Sequence, residues 1–535
     1  MSSAKEPVTR RFGNGLTVLI KEDKSHPVVS LQYWVGTGSM NEGHWQGSGL
    51  SHLLEHLVFK GTAHFSGQEL ARKVQERGGH WNAYTSVNRT VYYIDGPAES
   101  WQIFLNLLTE LVFFPTFPED EMEREKEVVR REMAMYADDP DSVAYQLLMQ
   151  TLYLKHPRRW PVLGERAAFD CLTRQDVLDY HASRYVPNNV VLSIAGDVDA
   201  AEILSHLELL VEDLKSRPLN REPIPHEPHQ FGSRRVRKEF AVPYSKLHLA
   251  WRLPCSAHPD TPALSALSSI LGGGRSARFY EKFHDRLGLV YSIEVHSNQS
   301  ETDEGAFTIS MDVDRAQRDK VRDLVLQELR NLAEEDFTED LKRVCKQTRV
   351  SRLRRRSSAS GVASEMGADW FGSRNLNLSS EWQEAIERVT TEDLHRVCST
   401  WLSSPNVTEV SLDPPGSNAG DEERASASAG TALSEHVLGN GMKVVIREDH
   451  RLPLAYACMA FKAGCRAENE HDAGVTDLMS ECLLKGTSTR SAADIARFLE
   501  DIGGAINTST GNNSLSVGCQ VLAEDLDAGL ELMAD

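Results

Sequence analysis

The chain has 535 residues, 40% hydrophobic and 25% charged, and a formal net charge of −20. That length implies several domains rather than one core, and so acidic a balance argues against a phosphate-binding stripe, so nucleic acid is not an expected partner. No apolar run could span a membrane, the opening MSSAKEPVTRRFGNG has no apolar secretory core, and eight cysteines are scattered with no C-x-x-C pair; a cytoplasmic chain free of disulfides and membrane anchors is expected.

In chain order, "LTVLIKED" and "VSLQYWVGTG" read as strands. "GSGLSHLLEHLVFKG" and "SGQELARKVQERGG" read as helices, each ending near glycine. "WNAYTSVNRTVYYIDGP" alternates and is rich in β-branched and aromatic residues, which predicts a strand pair. "SWQIFLNLLTELVF" and "PEDEMEREKEVVRREMAMYADD" are helical, the second with Pro118 and acids at its start and Pro140 beyond its end. The class is α+β: mostly antiparallel sheets with helices packed on one face. A four-proline stretch, residues 216–233, separates a first domain (1–215) from a second, related domain (234–412). Residues 413–432, rich in Pro, Gly, Ser, Ala and charge, read as a flexible linker.

Beyond that linker the chain repeats itself. "FGNGLTVLIKED" (12–23) returns as "LGNGMKVVIRED" (438–449), and "GLSHLLEHLVFKGT" (49–62) as "GVTDLMSECLLKGT" (474–487). "RGGHWNAYTS" (77–86) returns as "DIGGAINTST" (501–510). Residues 433–535 therefore read as the start of a second module, truncated relative to the first. In it His52 becomes Asp477, Glu55 becomes Ser480 and His56 becomes Glu481, while the apolar positions and the Lys-Gly-Thr ending survive. The ionisable trio is an addition to a packing scaffold.

His52 and His56 lie four apart, on one helical face. Two imidazoles aimed at one point suit zinc, which at catalytic sites takes three protein ligands and leaves one position open. Glu55 lies near the same face and is placed to reach water there. The pattern His-x-x-Glu-His is the inverse of His-Glu-x-x-His. The third ligand must come from elsewhere, and the acidic helix offers Glu119, Glu121, Glu123, Glu125, Glu127 and Glu132. Spacing does not choose among them. Val128, Val129 and Met133 around Glu132 mark its less exposed end, and Glu125 lies two turns earlier on the same side. His44, His64 and His80 lack a paired spacing and are not expected ligands.

The motif, the "GG-x-x-NA-x-T" strand and "MEREKEVVRREM" (122–133) together resemble the pitrilysin/insulinase (M16) family of zinc peptidases, in its mitochondrial processing peptidase-like and bacterial two-module members, over essentially the whole chain. The resemblance implies one Zn2+ per chain held by His52, His56 and Glu132, with Glu55 as general base and Glu125 supporting the site without binding metal. It implies that an extended peptide lies as an added strand along Asn82 and Ala83, in a chamber closed by a second module or by a homo-oligomer. Family members carry an Arg and a Tyr in the segment matching "LGGGRSARFYEKFHDRLGLVYSI" (271–293). Tyr291 matches the Tyr, whereas His284 stands where the family has Arg. The expected activity is zinc-dependent hydrolysis of extended or unfolded peptides. The alternative is a non-catalytic scaffold or substrate-binding subunit of the same family, which has no need of Glu55.

Overall fold

The alternating and continuous apolar runs become strands of two successive sheets. The computed structural model describes residues 6–219, 223–300, 305–402, 405–416, 434–446 and 454–535, apart from 465, 467, 469–471, 503 and 512. The first sheet comprises β1 (Val8–Arg11), β2 (Thr17–Glu22), β3 (Val28–Val35), β4 (His80–Thr85), β5 (Thr90–Pro97) and β6 (Val190–Gly196), in the order β1-β2-β6-β3-β5-β4. Only β2 and β6 pair in parallel. Leu31, Tyr33 and Val35 of β3 face a core formed with α1 (Leu50–Val58), α2 (Gly67–Gln75), α3 (Trp101–Phe113) and α4 (Glu119–Asp138).

The second sheet comprises β7 (Arg234–Glu239), β8 (Ser245–Leu253), β9 (Val290–Asn298), β10 (Gly305–Val313) and β11 (Thr408–Asp413), ordered β7-β11-β8-β10-β9. This repeats β2-β6-β3-β5-β4 strand for strand, including the single parallel pair at β7 and β11. Both sheets belong to one compact unit, Met1–Asp421.

Helices on one face do not complete either sheet. β3 and β6 are buried along almost their whole length, so both their faces are covered. The second cover over the first sheet comes from the far half of the unit. The helix Ala359–Ser373 packs Ala363 and Met366 against Leu19, Trp34, Val91, Val191 and Ala195. Gln32 Nε2 donates to the Ser360 carbonyl at 3.1 Å, and Ser193 Oγ to the Ala363 carbonyl at 2.7 Å. The exchange is mutual: α5 (Pro140–Leu152) sets Leu148, Met149 and Leu152 against Ala250, Ala306 and Val410 of the second sheet. Each half's own helices lie on one face of its sheet, as expected, and the opposite face is covered by the helix lent by the other half, which strand periodicity alone does not disclose.

The second unit, Glu422–Asp535, holds a hairpin of β12 (Ser434–Val437) and β13 (Lys443–Ile446). It also holds a sheet of β14 (Leu454–Phe461), β15 (Ala505–Thr510) and β16 (Leu515–Leu522), ordered β14-β16-β15. The order matches β3-β5-β4. Residues 413–432, expected as linker, lie outside the described residues except for 413–416. No helix among the described residues is long and apolar enough to cross a membrane, and the described cysteines are unpaired.

The tightest point of the helix exchange is Gly367. A Cβ there would stand 2.3 Å from Cε2 of Trp34. Gly367→Ala is expected to destabilise the first unit by about 1–3 kcal/mol through overpacking, read as a lower urea midpoint with Trp fluorescence as the probe.

Candidate active site

The short helix α1 is fixed at its start. Gly49 adopts φ 73°, and a Cβ there would meet the Leu163 carbonyl oxygen at 2.0 Å, so the helix and the 163–164 turn approach as bare backbone. The buried carboxyl of Glu42 accepts from the Ser51 N–H at 2.8 Å. Tyr180 Oη lies 2.8 Å from Ser51 Oγ and 2.6 Å from Thr37 Oγ1. Leu50, Leu53, Leu54, Leu57 and Val58 are buried, which leaves His52, Glu55 and His56 on the opposite side.

That side meets α4. Glu132 Oε2 lies 3.8 Å from His52 Nε2 and 3.9 Å from His56 Nε2. One ligand atom from each of these three residues falls within 4.8 Å of the other two, the one such group of three or more His, Cys, Asp or Glu among the described residues. Two zinc bonds of ~2.1 Å at a tetrahedral angle set ligand atoms about 3.4 Å apart, so the observed spacing fits a zinc ion. It is too long for direct hydrogen bonds between the three. His52 Nδ1 is buried with no partner, so that ring gains nothing from its protein surroundings on that side.

Glu125 sits behind the trio. Its Oε2 is 3.1 Å from His56 Nδ1, and its Oε1 accepts from Lys60 Nζ at 2.6 Å. It therefore orients the imidazole through the nitrogen turned away from the cluster. The other glutamates of α4 face elsewhere: Glu121 pairs with Arg124, Glu127 with Arg130 and Arg131, and Glu119 and Glu123 are exposed. Val128 is itself 44% exposed. The apolar neighbours that turn inward are Met122 and Val129, which share the helical stripe of Glu125 and so face α1.

Electrostatics separate the two histidines. Burial, with the neighbouring His56 charge, pushes His52 down to about 4, so its ring stays neutral over most of the pH range. Burial also opposes charge on His56, but the bond to Glu125 and the nearby Glu55, Glu125 and Glu132 carboxylates outweigh it and raise the group. Burial raises Glu55 above the usual carboxylate range, against the pull of Thr85. Thr85 Oγ1 donates to Glu55 Oε2 at 2.6 Å.

Thr85 ends β4, the free edge of the first sheet. His80, Asn82 and Tyr84 face outward, while Trp81, Ala83 and Thr85 are half-buried toward α1. Asn82 Oδ1 accepts the Ala83 N–H at 2.8 Å, shielding an edge donor. Beside the cluster a cavity of about 690 Å³ is lined by His52, Glu132, Met133, Tyr136, Val143 and Tyr145 among others. Tyr291 and His284 do not line it. Tyr291 lies on β9, 56% exposed, and donates to Asp314 at 3.0 Å. His284 stacks on Tyr280 and lies 2.7 Å from Asp285. His64 is engaged with Glu110 and His44 with the Trp45 ring.

Glu42, Lys60 and Thr85 escaped the sequence reading. The internal repeat held a signal for all three: Glu468 accepts the Gly474 and Thr476 N–H groups at the start of the helix Val475–Leu483, and Lys485 matches Lys60. In that second copy Thr510, the counterpart of Thr85, donates to Asp477 at 2.7 Å.

The family model described as Insulinase (Peptidase family M16) matches residues 17–166 and again 443–535, and that described as Peptidase M16 inactive domain matches 172–347. An uncharacterized zinc protease of Rickettsia felis is 27% identical over 406 residues, 74% of this chain and 94% of the relative. An uncharacterized zinc protease of Mycobacterium bovis is 30% identical, over 55% of this chain and 67% of its own. The crystal structure of a protease from Helicobacter pylori superposes with a TM-score of 0.70 at 26% identity, covering 76% of this chain and all of that one.

The Glu42 cap has a pH signature. Burial pushes this carboxyl up to about 8, against the N–H groups of Ser51, Gly49 and Gly47. The folded state thus holds a proton that the unfolded chain releases near the ordinary carboxylate value of 4.5, and stability is lost as pH rises through that window, by up to about 1.4 kcal/mol per pH unit. Glu42→Gln is expected to flatten this slope between pH 5 and 8, measured as the difference in Tm between variant and wild type, both metal-free.

Proposed function

From its membership of peptidase family M16, the insulinase family, to which this chain belongs, we propose that it is a zinc-dependent metalloendopeptidase acting on extended peptides. The observation that carries the reading is the convergence of His52, His56 and Glu132 on one point, with Glu55 beside them on the same helix. Its similarity to relatives named zinc proteases supports it.

Zinc held by these three side chains would supply a Lewis acid that acidifies water and polarises the scissile carbonyl. Glu125 and Lys60 hold the His56 ring in the tautomer whose Nε2 lone pair faces the cluster. Glu55 takes the proton of the attacking water as the water oxygen bonds to the carbonyl carbon. It then delivers that proton to the amide nitrogen as the carbon–nitrogen bond breaks. A carboxyl raised toward neutrality by burial suits both transfers. Thr85 ties this base to β4. A peptide added along the free β4 edge, where Asn82 and Ala83 lie, would carry its backbone past the same strand end. The mostly apolar cavity beside Glu132 would take a substrate side chain. A second module or a second copy would close the chamber around the peptide. The non-catalytic alternative has no need of Glu55, a position that holds Ser480 in the second copy.

Glu55→Gln is expected to bind one zinc per chain as wild type does but to cleave quenched fluorescent peptides about 10²–10⁴-fold more slowly. His52→Ala should lose both metal and activity, and a chelator should silence the wild type. Loss of zinc from the Gln variant, or undiminished cleavage by it, would remove Glu55 from the role of base. Thr85→Val should lower kcat/KM roughly tenfold and move the acid limb of its pH profile upward, since a donor that lowers the Glu55 pKa is gone. Thr85→Ser should restore both.

A further inference from the structure

The face of the first sheet turned away from α1 holds a second cavity, of about 860 Å³. Thr17 and Val191 line it, and they point to the same side as Leu19 and Ala195, under the helix lent by the second half. It therefore lies across the sheet from the metal cluster and has no part in the proposed hydrolysis. Its volume is within the range of small-molecule sites.

Its lining is unlike the rest of the molecule. In a chain of net charge −20, the described residues that line it include no aspartate or glutamate, yet they include Arg11 and Arg374. Neither guanidinium has a carboxylate partner among the described residues. Burial, and then the like charge of Arg11, push Arg374 down from the usual arginine range. Both side chains are exposed to water, and an anion seated between them would offset the repulsion of the like charges.

Two further features converge there. Arg374 follows the helix Ala359–Ser373 in a left-handed conformation, φ 59° and ψ 20°, at a position helices ordinarily give to glycine. With Phe117 it is one of two non-glycine residues at positive φ among the described residues. Trp370, one turn earlier and also lining the cavity, has a buried Nε1–H with no acceptor. Phe371 adds a second aromatic ring.

We propose that this cavity binds a small anion with a planar aromatic body, its phosphate or carboxylate held between Arg11 and Arg374 and its ring against Trp370 and Phe371. Paired guanidiniums match the flat oxygen edges of those groups, and the two aromatic side chains in the lining offer ring surface for stacking.

The test is calorimetric titration of the full chain with adenosine 5′-monophosphate, with indole-3-carboxylate and with inorganic phosphate. One of the two aromatic anions is expected to bind with sub-millimolar Kd, and which one does so tells a nucleotide from a carboxylate. Phosphate alone should bind at least about tenfold more weakly. Arg374→Gly is the informative variant: it relieves the left-handed backbone, so Tm should hold or rise while affinity falls at least about tenfold. Arg11→Gln should weaken binding to a similar degree. No heat from either aromatic anion, or affinity unchanged in both arginine variants, overturns the proposal. Phosphate binding as tightly as the aromatic anions overturns the aromatic half of it.

Discussion

The site depends on the nine residues of α1 having only one way to lie. Their leucines fill the core beneath the first sheet, and the backbone at Gly49 touches the 163–164 turn more closely than any side chain would allow. With rotation and starting point both fixed, His52, Glu55 and His56 have no alternative but to face α4. The geometry of the cluster is thus set by apolar packing on the far side of the helix, and the ionisable groups inherit it. A metal site made this way is prearranged: the cost of bringing the ligands together is met during folding and not at binding.

The second copy of the motif separates scaffold from chemistry inside one chain. The helix Val475–Leu483 keeps the left-handed glycine at its start, Gly474 at φ 88°, and the glutamate that caps it, Glu468. It has Asp477, Ser480 and Glu481 where the first copy has His52, Glu55 and His56. The threonine at the end of the neighbouring strand is kept as well, but in one copy it serves a carboxylate at the second position of the trio and in the other a carboxylate at the first. A strand-end hydroxyl aimed at this helix is therefore a property of the scaffold, and its partner depends on what the helix carries.

Much of this was legible in the residue order. Period 3.6 in "SHLLEHLV" and period 2 in "WNAYTS" put α1 and β4 in place, and comparison of the two copies singled out the trio. Glu132 was harder, since six glutamates crowd α4 and only the angle at which it crosses α1 selects among them. That angle follows from Met122 and Val129, which a one-dimensional pattern does not weigh against Val128. Gln32, Trp34 and Gly367 were unreadable as neighbours because more than three hundred positions separate β3 from the helix that covers it. Local periodicity reports which faces are apolar. It carries no information on what covers them, and the cavity beneath that helix was invisible for the same reason.

The exchange of helices has a consequence for how the chain comes off the ribosome. The first sheet can form its strands once β6 has emerged, near residue 196, but its outer face waits for the helix Ala359–Ser373. Through the intervening synthesis Leu19, Trp34 and Val191 remain an open apolar surface. α5 waits longer still, because β11, one of the strands it covers, ends at Asp413. Neither half has a finished surface alone, so the two must mature together through contacts of very long sequence separation, which is the regime of slow folding and of dependence on chaperones.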